Sequence, residues 1–229
     1  MSQQRVFIAI SGNIGTGKTT LTQLLADRFR WEPRFEAVED NPYLSDFYSD
    51  MSRWSFPLQI FFLNHRLNVH KNISGGTVSA IQDRSIYEDA NIFARNLYEQ
   101  GHMEERDYVN YLSLYKSVCG ELQPPSLMIY LRKDVDILKD RISKRGRDYE
   151  KSISDEYLSN LNLFYDEWME GYSIGPKLIV QSNDRDFLYN KTDFNWLADE
   201  ILAAIDQKDL FDYGSLPSNI KQLTTPLKK

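Results

Sequence analysis

The residues with the clearest chemistry lie near the start of the chain. Gly12-Asn13-Ile14-Gly15-Thr16-Gly17-Lys18-Thr19 matches G-x-x-x-x-G-K-[ST], and Thr20 follows it. An apolar run, Val6 to Ile10, leads into this segment, and helical periodicity follows. In that context glycines let backbone N–H groups turn toward phosphates, Lys18 neutralises the outer phosphates, and the Thr19 hydroxyl suits Mg²⁺. The helix expected over 20–29 adds its positive dipole end. A solvated glycine turn is the alternative, and the strand-to-helix context weighs against it. A GTPase switch would carry Asp three residues before a Gly, and no glycine in the chain has Asp at that offset.

Phosphoryl transfer to a hydroxyl needs a group that takes the attacking proton, in line with the outer phosphate. Carboxylates stand after two further apolar runs: Glu36 in the run Phe35 to Val38, with Glu39 and Asp40 beyond, and Asp83 after Val78 to Ile81. Both positions fall at the C-terminal edge of expected parallel strands, where open α/β sheets assemble their sites. Residue type alone ranks Glu36, Glu39 and Asp40 equally. Asp83 fits either a Mg²⁺-holding carboxylate or the proton acceptor, and the sequence leaves both open. Beside it, Arg84 offers a planar fork for developing negative charge.

Three more arginines, Arg141, Arg145 and Arg147, are placed on a helix predicted to begin near Asp134. Arg141 and Arg145 at i, i+4 share a face, so an anion is expected opposite them. A solvated basic face is the plainer reading of such a run. Gln59 and Arg66 are seven residues apart, two helical turns, and face one side.

Positioning these groups falls to an alternation of short apolar runs and helical stretches. Val6 to Ile10, Phe35 to Val38, Val78 to Ile81, Leu127 to Leu131 and Leu178 to Val180 read as buried parallel strands of one α/β sheet. Leu21, Leu24, Leu25 and Phe29, and Leu58, Phe61, Phe62 and His65, repeat at i, i+3, i+4. Phe194, Leu197, Ala198, Ile201, Leu202 and Ile205 predict a last helix on one face of the sheet. No linker divides the chain, so residues 1–210 are expected to form a single domain, with 211–229 a loosely docked tail.

The 229 residues suffice for one well-covered core, and 41% of them are hydrophobic. A formal charge of −6 argues against a surface built for nucleic acid or an acidic membrane. Cys119 is the single cysteine, so no intramolecular disulfide forms, and three histidines, His65, His70 and His102, fall short of a zinc site. The apolar start runs into the glycine loop rather than a cleavage site, and no run approaches the roughly 18 apolar residues of a membrane span. A cytoplasmic protein is expected.

Four local patterns resemble the deoxynucleoside kinase family, in particular its bacterial-type deoxyadenosine and deoxyguanosine kinases. They are Glu36-Ala37-Val38; Tyr48 with Arg53-Trp54-Ser55-Phe56-x-x-Gln59; Asp83-Arg84-Ser85-x-Tyr87-x-Asp89; and Arg141-x-x-x-Arg145-Gly146-Arg147-x-x-Glu150. Their order and spacing match over about residues 5 to 170, with little support from 101–120 or the tail. The resemblance implies a P-loop kinase fold, a five-stranded parallel sheet with helices on both faces and an arginine-bearing lid. It implies Glu36 as the base at a 5′-hydroxyl, ATP as donor and Mg²⁺ as its cation. Arg141, Arg145 and Arg147 become the lid over ATP, and Tyr48 and Glu150 take the sugar 3′-hydroxyl.

By the same resemblance Gln59, Arg66 and Asp89 read the base and Phe93 helps sandwich it. Arg66 with Asp89 is similar to the charged pair of members that accept purines or deoxycytidine, and it weighs against thymidine. Ala90 stands where members of broad mammalian-type specificity carry a second arginine, which points to the purine group. A homodimer is implied, with the apolar faces of 58–70 and 86–99 as its expected contacts. A nucleoside monophosphate kinase and a catalytically silent nucleotide-binding subunit are the competing readings.

Overall fold

The computed structural model of the chain describes residues 5–36, 41–150 and 153–208. Its centre is a sheet of five parallel strands in the order β2-β3-β1-β4-β5, comprising β1 (Phe7–Ser11), β2 (Glu32–Arg34), β3 (Ala80–Asp83), β4 (Leu127–Arg132) and β5 (Lys177–Gln181). Alternation along the strands divides the core in two. Phe7 and Ala9 of β1, with Met128 and Tyr130 of β4, face one layer of helices. Ile8 and Ile10, with Leu127, Ile129 and Leu131, face the other.

The second face is covered by α1 (Lys18–Phe29) and α9 (Lys191–Lys208), through Leu21, Leu25, Leu197 and Ile201. The first face carries the long α3 (Met51–Gly75), α6 (Glu105–Cys119) and α8 (Asp155–Gly171). Two short helices, α2 (Leu44–Ser49) and α7 (Val135–Arg145), flank the C-terminal edge of the sheet. After β3 the chain forms α4 (Ile86–Glu88), widens into one π-helical stretch over Asp89–Ala94, and continues as α5 (Arg95–Glu99). Helices on both faces of a five-stranded parallel sheet agree with the expected architecture.

Several expectations move. The second strand is Glu32–Arg34, not Phe35 to Val38; Phe35 is 43% exposed, and Val38 lies outside the described residues. The third strand starts at Ala80, leaves Val78 exposed, and ends on Asp83 itself. Leu202 points to solvent at 40% exposure although Ile201 beside it is fully covered, so the apolar stripe of α9 is narrower than its spacing suggested. Gly146 ends α7 in the left-handed conformation, and Arg147 falls beyond the helix rather than on it. The tail 211–229 lies outside the described residues. Among the described residues no helix is long and apolar enough to cross a membrane.

Candidate active site

The C-terminal ends of the strands open onto a cleft of about 820 Å³. One side of its floor is the glycine loop between β1 and α1. Gly12 has φ +146°, and a Cβ there would come within 2.8 Å of the Leu131 carbonyl oxygen, so the tight packing of loop on β4 requires glycine. Gly17, at φ +94°, opens α1. Residues from Ile14 to Thr20 line the cleft.

Asn13 faces elsewhere. Its buried amide Nδ2 donates to the Leu158 carbonyl (2.9 Å) and to Asn162 Oδ1 (2.7 Å), while its Oδ1 accepts from the Ile14 N–H. Its side chain ties the loop to α8, so any contact it makes with phosphate falls to its backbone.

Lys18 is buried, with Nζ donating to the carbonyls of Gly12 and Asn13, each at 2.9 Å. Burial and the nearby Arg84 charge lower its pKa to about 8, against the pull of Asp83, Glu36 and Glu88.

Asp83 ends β3 one strand away, and Thr19 Oγ1 donates to its Oδ2 at 2.5 Å. The other carboxylate oxygen, Oδ1, is buried without a hydrogen-bond partner. Burial raises the Asp83 pKa, partly offset by Lys18. An unpartnered carboxylate oxygen beside a hydroxyl, at a phosphate loop, is a donor set suited to a hard divalent cation.

Glu36 follows β2 and lines the cleft, whereas Asp83 is buried at the end of β3. Its Oε1 accepts from Arg84 Nε at 3.1 Å and pairs closely with Arg66 Nη2. Burial works to raise its pKa, but the Arg84, Arg66 and Lys18 charges outweigh that and hold it at about 2. The carboxylate is therefore ionised at any physiological pH. This geometry separates two carboxylates that the sequence left interchangeable: Asp83 keeps company with Thr19, and Glu36 faces the open space. Glu39 and Asp40 lie outside the described residues.

Arg84 reaches its place by a backbone that few side chains adopt, φ +65°, immediately after the strand. The guanidinium is buried over the Phe93 ring, 4.6 Å from its centroid. The Arg84 Nη1 donates to Tyr165 Oη at 2.6 Å and to Glu88 Oε2 at 3.2 Å.

On α3, Gln59 and Arg66 do share one face and line the far end of the cleft. Arg66 Nη1 pairs with Asp89 Oδ1, and its guanidinium lies 4.5 Å from the Phe62 centroid. Burial raises the Asp89 pKa to about 6 despite Arg66 beside it. Gln59 Oε1, Arg66 Nε and Asp89 Oδ2 are buried without protein partners. Orphaned donors and acceptors at the end of a cleft are what a polar ligand edge would satisfy. Phe62 and Phe93 line the same space.

The arginine cluster divides its attention. Arg145 forms a forked pair with Glu150, Nε to Oε2 at 3.0 Å and Nη2 to Oε1 at 2.6 Å, and Arg147 Nη1 stands 3.5 Å from Oε1. Glu150 of the chain itself is thus the anion beside Arg145 and Arg147, not one opposite the expected pair of Arg141 and Arg145. Arg141 instead leans on the glycine loop, its Nη1 3.2 Å from where a Gly17 Cβ would be. Tyr48, on α2, lines the cleft with Glu150, as do Arg141, Arg145 and Arg147.

Other lining residues were not singled out from the sequence. Lys133 directly follows β4, is buried, and donates from Nζ to the Ser182 carbonyl; burial and the Arg141 charge lower its pKa to about 8. Ser182 and 185–189 follow β5 and complete the wall beside the glycine loop. Their signal was positional, since both segments begin where a parallel strand ends. Glu88 was legible as the fourth residue of Ser85-x-x-Glu88, a capping-box pattern. It forms that box and accepts from Arg84 as well.

The deoxynucleoside kinase family model matches residues 8–206. The chain is 37% identical over 200 residues to the deoxyadenosine/deoxycytidine kinase of Bacillus subtilis (strain 168), covering 86% of this chain and 92% of that one. It is 33% identical over 218 residues to a deoxyadenosine kinase of Lactobacillus acidophilus, covering 91% and 98%. Among solved structures it resembles the deoxyadenosine kinase of M. mycoides with bound dATP, with a TM-score of 0.77 and 30% identity over 86% of this chain and all of that one.

Proposed function

The chain belongs to the deoxynucleoside kinase family, and from that premise we propose that it transfers the γ-phosphoryl group of ATP to the 5′-hydroxyl of a purine deoxynucleoside. Deoxyadenosine is the first choice and deoxyguanosine the next, with the 5′-monophosphate and ADP as products. The observation that carries this reading is Glu36, ionised between Arg66 and Arg84 and facing the cleft that Lys18 and Thr19 share.

In this reading the glycine loop, Lys18 and Arg141 take the phosphates. Thr19 and Asp83 would hold Mg²⁺, whose contribution is to neutralise charge on the phosphate oxygens. Glu36 accepts the hydrogen bond of the 5′-hydroxyl and takes its proton as the new P–O bond forms, while the bond to the ADP oxygen breaks. A carboxylate held at about 2 is a weak base, so in this reading the proton reaches Glu36 late, once the forming P–O bond has made the hydroxyl acidic. Arg84 stabilises charge on the transferring group. Tyr48 and Glu150 take the 3′-hydroxyl, which requires Glu150 to share or release Arg145. Gln59, Arg66 and Asp89 meet the base edge, stacked by Phe93.

A nucleoside monophosphate kinase would need cations for its acceptor's own phosphate. At the acceptor end Arg66 is already paired with Asp89 and Glu36, which favours an uncharged nucleoside. Residues 1–210 act as one domain in the cytoplasm, as a homodimer. The segments 58–70 and 86–99 are its contacts in this reading; each has residues given to the chain's own core, Leu58 and Leu63 in one and Ile86, Ile92 and Leu97 in the other, and half-buried apolar ones, Phe61 and Leu67 in the first and Phe93 and Tyr98 in the second. Light scattering at micromolar concentration tests the dimer.

The test of function is a panel with Mg-ATP and deoxyadenosine, deoxyguanosine, deoxycytidine, thymidine and deoxyadenosine monophosphate. Consumption of a purine deoxynucleoside with ADP release is expected. Turnover of the monophosphate alone, or of nothing, overturns the reading.

A further inference from the structure

The acceptor side depends on one guanidinium, Arg84, that is held by one residue of the helix that follows it and by one from a distant helix. Arg84 sits between β3 and α4 at φ +65°, where its backbone is strained and its side chain must be anchored from elsewhere. Two groups supply that anchor. Glu88 is fully buried, and both its oxygens are occupied: Oε1 accepts from the Ser85 N–H (2.7 Å) and Ser85 Oγ (3.2 Å). Its Oε2 accepts from Arg84 Nη1 (3.2 Å) and from Tyr165 Oη (2.7 Å).

Tyr165 lies 77 residues further on, on α8, and its hydroxyl also accepts from Arg84 Nη1 at 2.6 Å. The three groups close a triangle. The Tyr165 ring stacks on Tyr130 of β4, centroids 5.4 Å apart and planes at 12°, and meets Phe93 edge-on at 6.4 Å. The hydroxyl is therefore carried by a rigid, fully covered ring rather than by a loop.

We propose that Tyr165 and Glu88 are positioning residues for phosphoryl transfer, fixing Arg84 through the Arg84–Tyr165–Glu88 triangle so that its remaining edge meets Glu36 and the transferring group. The inference rests on the reading of Glu36 as proton acceptor and Arg84 as charge stabiliser. A misplacement of about 1 Å in such a group costs up to roughly a hundredfold in rate without loosening substrate binding to match.

The experiment is steady-state kinetics with deoxyadenosine and Mg-ATP on Tyr165→Phe, which keeps the ring and its stacking. The expected result is a fall in kcat of about tenfold or more with both KM values within about twofold, and a melting temperature close to wild type. A second variant, Glu88→Gln, keeps shape and removes the charge, and should lower kcat in the same way.

A pH profile adds a readout that packing alone would not move. Arg84 is the strongest influence holding the Glu36 pKa down. Loosening it should carry the acid limb of kcat to higher pH in Tyr165→Phe, the variant that changes no charge. Wild-type kcat in Tyr165→Phe, or a fall accompanied by equal losses in KM and melting temperature with an unmoved acid limb, overturns the proposal. Glu36→Gln, run alongside, separates the two claims. If it retains wild-type kcat, the acceptor reading fails on its own; if it is inactive while Tyr165→Phe is normal, only the triangle fails.

Discussion

Thr19 Oγ1 donates to Asp83 Oδ2 across 2.5 Å, which joins the phosphate loop to the last residue of β3 and leaves Asp83 Oδ1 as a buried acceptor with no protein partner. Glu36 instead answers to two arginines at the open face of the cleft. The two carboxylates should therefore fail differently. Asp83→Asn should raise the Mg²⁺ concentration for half-maximal rate by about tenfold or more, because the proposed cation site loses one charge. Glu36→Gln should lower kcat by about a hundredfold at every Mg²⁺ concentration. Titrating Mg²⁺ against rate for both variants checks this, and the reverse pattern would exchange the two roles.

Lys18→Ala should reduce turnover below about a tenth of wild type, the loss of a few kcal/mol of charge stabilisation. The lysine is buried rather than exposed, and its Nζ donates to the carbonyls of Gly12 and Asn13. Its removal should therefore leave the far-ultraviolet circular dichroism and melting temperature nearly unchanged while ATP binding, followed by calorimetry, is lost.

How far such roles were legible differs from residue to residue. The glycine loop was plain because its chemistry is local: turn, lysine and hydroxyl lie within eight consecutive residues. Gln59 and Arg66 were placed on one face by helical spacing alone. The second strand was not legible. It is an edge strand, bonded only to β3, and its sequence Glu-Pro-Arg has no apolar run to betray it, since an edge tolerates proline and polar side chains. The apolar Phe35 that suggested a strand is exposed just beyond it. Tyr165 was hidden for another reason: it reads as one more aromatic on an amphipathic helix, and its use of the hydroxyl depends on a partner 77 residues away.

At the far end of the cleft Arg66 and Asp89 are buried together, so deleting Arg66 alone strands the Asp89 charge at about 3–5 kcal/mol, whereas deleting Asp89 alone leaves Arg66 paired with Glu36. Replacing both with apolar residues avoids that penalty. Wild type should favour purine deoxynucleosides over thymidine by at least about a hundredfold in kcat/KM, about 2.7 kcal/mol. The double variant should narrow the ratio chiefly by admitting thymidine. Competition at sub-saturating nucleoside measures it, and comparable wild-type rates for thymidine and purines would refute a purine-reading pocket.

The same pair predicts a pH dependence. Burial places the Asp89 pKa at about 6 even with Arg66 beside it, while Glu36 stays ionised down to about 2. Above pH 6 Asp89 is an acceptor paired with Arg66; below it, the carboxyl is neutral and one oxygen becomes a donor. Preference for purine over thymidine should therefore shrink between pH 7.5 and 5.5, whereas Glu36 remains competent throughout. In Asp89→Asn the ratio should be flat over that range. A wild-type ratio independent of pH would show that Asp89 does not read the base.

The π-helical stretch at Asp89–Ala94 has a further meaning. One additional residue in a helix shifts everything after it by about 100° around the axis. Upstream of the stretch, Ile86 and Tyr87 pack under the sheet; downstream, Leu97 packs with Phe47, Leu58 and Met103 in a separate apolar layer. The widened turn acts as a phase coupling between the two layers. Trimming one residue from it would leave the helix intact but would bring either Asp89 or Leu97 to the wrong side, so an insertion that looks like a local irregularity sets the angular alignment of the cleft and the outer apolar layer.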